Sequence, residues 1–239
     1  MLCVTEKLRF IYKGLMQDSR FEAMVQTPKS PYRMAPDEFQ EFFEAFSATA
    51  SAAQHPNIVS LLGVCDQDER ILICLEHVTG ATLLTLLRES RTCNHQSQTM
   101  HKTATFLSAQ RILNIVLGVT RGVAHLEDKQ VVNTQLAAVN ILIGAGGVPK
   151  IAGFGFATIH DLYQYEQNAL SSYVKWSPPE VLNGYTASLK SQSWAYGVLL
   201  WEIISLGGTP YGYLTDDQVS EDILLHKRVL HRPNYCSET

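Results

Sequence analysis

The side chains best placed to do chemistry in this chain sit in VVNTQLAAVNIL, residues 131–142. Asn133, Thr134, Gln135 and Asn140 punctuate an otherwise apolar stretch there. Amides donate and accept hydrogen bonds, but they have no useful basicity near neutral pH, so Gln135 cannot take a proton from a reacting group. Elsewhere the candidates thin out. Eight histidines are scattered, and none pair at a zinc-binding spacing, so each is read as surface or core. The five cysteines, Cys3, Cys65, Cys74, Cys93 and Cys236, are odd in number and irregular in spacing. That argues against a disulfide framework and for a reducing compartment. Tyr163 and Tyr165 in HDLYQYEQNALSSY offer hydroxyls for phosphorylation, although plain exposed loop tyrosines are the commoner case.

The elements that must position these groups change character along the chain. LRFIYKG (8–14) and FEAMVQ (21–26) read as two strands of a hairpin or sheet edge. Phe39, Phe42, Phe43 and Phe46 recur at i, i+3, i+4 and i+7, one apolar helix face taken as core. PNIVSLLGVC and RILICLE are strand-like, rich in Ile, Val and Leu. Residues 1–78 thus form a small strand-rich lobe with one helix, and residues 79–239 a mostly helical lobe. A short helix is predicted over Leu83–Arg88, followed by a polar, aperiodic surface insert at 89–105. A long helix starts near Ser108, with Ile112, Ile115, Val116, Val119, Val123 and Leu126 on one face. NILI, GAGG and VPKIAG read as a hairpin with a glycine turn, and Pro149 restricts its second strand. From Lys190 to Leu206 the chain is apolar on nearly every side, predicting a buried helix that Gly207 and Gly208 can stop.

The totals exclude several classes. With 46% hydrophobic and 18% charged residues over 239, the chain can bury a sizeable core. A net charge of −4 without a basic stripe argues against nucleic-acid or anionic-membrane binding. No apolar run approaches the roughly 18 residues of a membrane span, and the start lacks a signal-peptide pattern. The expectation is a soluble, cytoplasmic chain.

HPNIVSLLGVC, LAAVNILI, VKWSPPEVL and WAYGVLLWEIISLGGTPY resemble, in order, the segments of a protein kinase domain of the receptor tyrosine kinase branch. The resemblance implies an α+β, bilobal fold with ATP and Mg²⁺ in the cleft of the parent family. It also implies that the catalytic parts are degenerate here. The glycine-loop glycines fall at Val4, Glu6 and Arg9, and the phosphate-gripping lysine at Gln26. Met24 would fill the space over an adenine. The helix glutamate that pairs with the lysine falls at Phe46, and neither Glu44 nor Glu41 faces the same way. H-R-D-L-A-A-R-N becomes Asn133, Thr134, Gln135, Leu136, Ala137, Ala138, Val139, Asn140. The proton-accepting aspartate is therefore Gln135, and the phosphate-docking arginine Thr134. The metal-binding aspartate of D-F-G is Gly153, and the buried aspartate that braces the loop is Gln192. Asn140 is kept, and a bracing hydrogen bond is its expected role. A vestigial cleft would be lined by Ile11, Met24, Leu75, Glu76, Val78, Asn140 and Leu142.

What the resemblance implies is a pseudokinase: no catalytic residue, no cofactor or metal, and action through other signalling proteins, an active kinase among them. Two alternatives stay open, an active tyrosine kinase with displaced catalytic groups and a fragment without function. HRPNYCSET resembles a family segment that further helices follow. Glu180, whose arginine partner lies there in the family, is expected to be a partly buried, unpaired carboxylate, and the large lobe to expose apolar surface.

Overall fold

The computed structural model describes residues 2–5, 9–15, 22–28, 44, 47, 49–51, 54–67, 70–96, 107–133, 135–152 and 173–233. Five strands, β1 (Leu2–Thr5), β2 (Arg9–Leu15), β3 (Glu22–Pro28), β4 (Leu61–Gln67) and β5 (Arg70–Glu76), form one antiparallel sheet in the order β1-β2-β3-β5-β4. The two predicted amino-terminal strands fall within a residue or two of β2 and β3. Glu44, Ser47, Thr49, Ala50 and Ser51 are helical. The phenylalanine stripe lies outside the described residues.

The apolar run at 56–65 does not form one strand. β4 begins only at Leu61, because Ile58 and Val59 are taken by another partner. Ile58 bridges Ile151 in parallel, Ile151 N–H donates to the Asn57 carbonyl at 2.8 Å, and Val59 N–H donates to the Ile151 carbonyl at 2.8 Å. Both Ile58 and Val59 are buried. A hydrophobic run thus serves two layers, which periodicity within one segment cannot reveal.

Ile151 belongs to the hairpin of β6 (Ile141–Ile143) and β7 (Pro149–Ile151). Its turn closes with Gly144 N–H on the Val148 carbonyl at 2.8 Å. Gly146 and Gly147 sit at φ 68° and 78°, the left-handed region that residues with a Cβ avoid. Pro149 takes the first position of β7, where no ladder N–H is lost.

Five further α-helices follow among the described residues: α1 (Leu83–Gln96), α2 (Ala109–Asp128), α3 (Pro179–Leu182), α4 (Leu189–Ile204) and α5 (Asp216–His226). α1 runs eight residues into the segment expected to be a surface insert. Leu83, Leu86, Leu87 and Ser90 are its buried face at i, i+3, i+4 and i+7. The serine hid that periodicity; its Oγ accepts the Leu107 N–H at 3.2 Å, so a polar residue continues the apolar stripe. Residues 97–106 lie outside the described residues. α2 is capped by Ser108, whose Oγ accepts the Arg111 N–H at 3.2 Å. It buries Ile115, Val119, Val123 and Leu126 against Leu87, Leu136, Ile141 and Leu199.

α4 differs from the expected all-round burial. Lys190, Ser193, Gly197 and Ile204 are exposed and fall on one side of a 3.6-residue helix. The buried side carries three polar residues, Ser191, Gln192 and Glu202. The helix stops as anticipated, with Gly207 at φ 76° donating its N–H to the Glu202 carbonyl at 2.8 Å.

The junction between sheet and helices is further tied at residues 55–57. Asn57 Nδ2 donates to the Pro149 carbonyl at 2.9 Å. His55 stacks on His125 of α2 at 4.9 Å between centroids, and its Nδ1 accepts the Asn57 N–H at 3.1 Å. Burial, then His125, Arg121 and Lys150, hold His55 below its ordinary 6.5. The unfolded chain then binds the proton more readily, so this contribution is present above 6.5 and lost as pH falls through that range.

Two helical glycines predict opposite outcomes. A Cβ at Gly118 of α2 would meet Pro149 Cγ at 2.5 Å and Asn57 Nδ2 at 3.0 Å, whereas nothing lies within 4 Å of one at Gly197 of α4. Gly118→Val should destabilise by ~1–3 kcal/mol despite the better helix propensity. Gly197→Ala should stabilise by ~0.5–1 kcal/mol. Urea denaturation midpoints check both.

Candidate functional site

The loop between α2 and β6 is held from below by α4. After Asp128 the chain turns through Gln130 at φ 58°, and Val131 N–H returns to the Leu126 carbonyl at 2.8 Å. Asn133 is fully buried, and its N–H donates to Gln192 Oε1 at 2.7 Å. The position expected to have lost its bracing aspartate therefore keeps the brace with a neutral amide. Asn133 Oδ1 in turn accepts the Gln135 N–H at 2.9 Å. Leu136, Ala137 and Ala138 are buried and anchor the loop, while Val139 faces outward. A second brace comes from the other end of α4, nearly three turns on. Glu202 Oε2 accepts the Ala138 N–H and the Trp176 indole N–H, each at 2.9 Å.

Asn140 is buried and hydrogen-bonded through both its backbone and its side chain. Its N–H reaches the Ala137 carbonyl at 2.8 Å, and its carbonyl accepts the Ala152 N–H at 2.8 Å. Its side-chain Nδ2 donates to the Gln135 carbonyl and to the Tyr173 hydroxyl, both at 2.8 Å. An amide nitrogen carries two hydrogens, so both are used. The Tyr173 ring meets Trp176 edge-on at 5.9 Å and 67°. Glu202 and Tyr173 did not stand out in the sequence. Glu202 had a legible signal, a lone acid in an apolar helix; Tyr173 had none.

The other candidate positions spread across the junction. Gln26 pairs in register with Ile11 and Ile73, and Met24 with Lys13 and Leu75, so the backbone sets all four named cleft positions of the sheet on β2, β3 and β5. Leu75 is buried. Glu76 Oε1 pairs with Lys150 Nζ at 2.9 Å, and its Oε2 accepts the Ser60 N–H at 3.2 Å. Val78 lies beside Gly144. Leu142 opposes Lys150 across the hairpin and bridges Thr82, so the segment after β5 runs along this hairpin. Thr134, Gly153, Phe46, Tyr163 and Tyr165 lie outside the described residues. Among the described residues no group of three or more His, Cys, Asp or Glu is placed to hold a metal ion, and no helix is long and apolar enough to cross a membrane.

Glu180 departs from expectation. Its Oε1 accepts the Ser191 Oγ hydrogen at 2.9 Å, so the capping box of α4 supplies a partner. Glu202 is the carboxylate under strain of burial. Desolvation raises it from 4.5 to about 7, against the Trp176 and Ala138 hydrogen bonds and the Arg88 charge.

Between those two values the folded state holds more protons than the unfolded one. Stability from this group is thus full below 4.5 and lost as pH rises through about 7, by roughly 3 kcal/mol in total. Glu202→Gln keeps an oxygen acceptor without the charge. It should remove this alkaline loss and stabilise the chain at pH 8 relative to pH 5, read as the difference in urea-unfolding free energy between variant and wild type at each pH. Gln192→Leu orphans the buried Asn133 N–H and should destabilise by ~1–3 kcal/mol in the same measurement.

Two comparisons with known proteins bear on this arrangement. Residues 9–239 match the family model for protein tyrosine and serine/threonine kinase. The chain is 34% identical to the Angiopoietin-1 receptor of Danio rerio, over 97% of this chain and 20% of that protein. It is 33% identical to Tyrosine-protein kinase Fer of Homo sapiens, over 95% of this chain and 26% of that protein. To Tyrosine-protein kinase Btk of Drosophila melanogaster it is 31% identical, over 99% of this chain and 29% of that protein. The chain spans a fifth to under a third of the length of these relatives. A strand-rich small lobe, a helical large lobe and a braced loop between them, together with these matches, place the chain in the protein tyrosine and serine/threonine kinase family, with relatives that are tyrosine kinases.

Proposed function

We propose that this kinase-family domain does not transfer phosphate and works instead as a scaffold or allosteric partner of other signalling proteins, an active kinase among them. The reading places it on the cytoplasmic side, either free or as part of a receptor. The contrast within residues 133–140 carries it. The loop keeps its braces, Gln192 on Asn133 and Glu202 on Ala138, yet the proton-accepting position is Gln135. A glutamine there has no basicity to take a tyrosine hydroxyl proton.

The groups that would receive a magnesium nucleotide do not fit it. Mg²⁺ is held by carboxylate oxygens at short range. The corresponding positions offer Gly153, which has no side-chain oxygen, and Asn140, whose amide oxygen carries no charge. Gln26 replaces the cation that grips the phosphates, and Phe46 its acidic partner. Loss of a general base alone lowers rate by ~10²–10⁴-fold, and loss of charge stabilisation acts on the same step. Tyr163 and Tyr165 remain hydroxyls that a partner kinase can modify.

A binder of MgATP at a hundredfold over its Kd gains ~2.7 kcal/mol, roughly 5–10 °C in Tm for a domain of this size. No such rise is expected for the wild type, with or without Mg²⁺, in a thermal shift titration. The triple variant Gln26→Lys, Gln135→Asp, Gly153→Asp should gain a Mg²⁺-dependent rise. A Mg²⁺-dependent shift in the wild type, with phosphoryl transfer to a tyrosine peptide, would favour an active enzyme with displaced groups.

A further inference from the structure

We propose that Tyr173 occupies, from within the chain, the seat in front of the catalytic loop that an incoming tyrosine would use, and so closes the domain to tyrosine peptides. This rests on the reading of residues 133–140 as a kinase-type catalytic loop. In such loops the residue at position 135 faces the acceptor hydroxyl. Here a phenol is already in that neighbourhood. The Tyr173 hydroxyl accepts one Nδ2 hydrogen of Asn140 at 2.8 Å, and the other hydrogen goes to the carbonyl of Gln135 itself, also at 2.8 Å. One buried amide therefore joins the chain's own tyrosine hydroxyl to the backbone of the position where an acceptor would lose its proton.

The seat is clamped. The Tyr173 carbonyl accepts the Trp176 N–H at 2.9 Å and the Ser177 Oγ hydrogen at 3.0 Å. Its ring lies against Trp176, and the Trp176 indole is pinned to Glu202 on α4. The ring's position is thus set by the same helix that sets the loop. Two phenols cannot share one hydrogen-bond seat, so a peptide tyrosine must displace Tyr173 and leave a buried Asn140 hydrogen to be satisfied anew.

The test uses the purified chain and a fluorescein-labelled peptide with a single tyrosine among glutamates and alanines, read by fluorescence anisotropy. A matched peptide carries phenylalanine instead. Wild type and Tyr173→Phe should bind the tyrosine peptide weakly. Tyr173→Ala should bind it at least about tenfold more tightly, and should show no such gain for the phenylalanine peptide. Equal affinity of wild type and Tyr173→Ala, including no binding to either, overturns the proposal, as does an equal gain for both peptides. Thermal melts confirm that the alanine variant is folded, and Tyr173→Leu replaces it if it is not. Tyr173→Phe keeps the ring but lacks the hydroxyl, so the Asn140 side-chain amide signal should move in a ¹⁵N NMR spectrum; an unmoved signal also overturns it. Phosphoryl transfer from MgATP by Tyr173→Ala but not by wild type would defeat the inactive reading while supporting the seat.

Discussion

The hydrogen bond from the Asn133 backbone to Gln192 Oε1, 2.7 Å long and sealed from water, is the constraint on which the loop geometry depends. Asn133 leads to Gln135, Gln135 to Asn140, and Asn140 to both Ala152 and Tyr173. Each link begins where the previous one ends. Without the Gln192 acceptor, a buried N–H would be stranded and the first link freed. A neutral amide fills this role without a charge. It avoids the desolvation of a buried carboxylate, and it holds the bond at any pH. Glu202, which braces the same loop as a carboxylate, shows the opposite bargain: its hydrogen bonds are sound, but burial pushes its ionisation toward neutrality.

The small lobe reaches the large one through a few residues with large effect. Asn57, Ile58 and Val59 act as an extra rung on β7, and Glu76 and Lys150 link the end of β5 to the same strand. The β6–β7 hairpin is therefore the common floor for the sheet, for α2 and for the loop that carries Asn140. Gly118 and Gly122 let α2 approach it at a distance that no side chain would allow. This packing sets where the cleft residues of the hairpin and of β5 stand. The packing carries no chemistry of its own, so it does not depend on which proton-accepting or metal-binding groups the loop presents.

Much of this was legible in the residues. The strand-rich runs located β2, β3 and the hairpin closely, and the 3.6-residue pattern located α2, which buries one uniform face. Errors arose where a face is mixed. Ser90 continues the buried stripe of α1, so a helix was read as insert. Gln192 and Glu202 lie on the buried side of α4 while Ile204 is exposed, so an amphipathic helix was read as apolar throughout. The run at 56–65 looks like one strand because sequence periodicity does not tell which layer a residue joins. At the site, the resemblance located Gln135, Asn140 and Gln192, but it did not foresee that Gln192 would still brace the loop. Tyr173 could not be found at all from pattern, since its role depends on a contact 33 residues away.

The bond between Ser90 and Leu107 has a different kind of consequence. Both residues are buried, and the Ser90 hydroxyl holds the returning chain at 3.2 Å. The two ends of the intervening stretch are thereby fixed to the core independently of what connects them. Doubling the length of a connection adds only about 0.6 kcal/mol of closure entropy. A reporter peptide or epitope grafted between Gln96 and Leu107 would therefore leave the braced loop undisturbed.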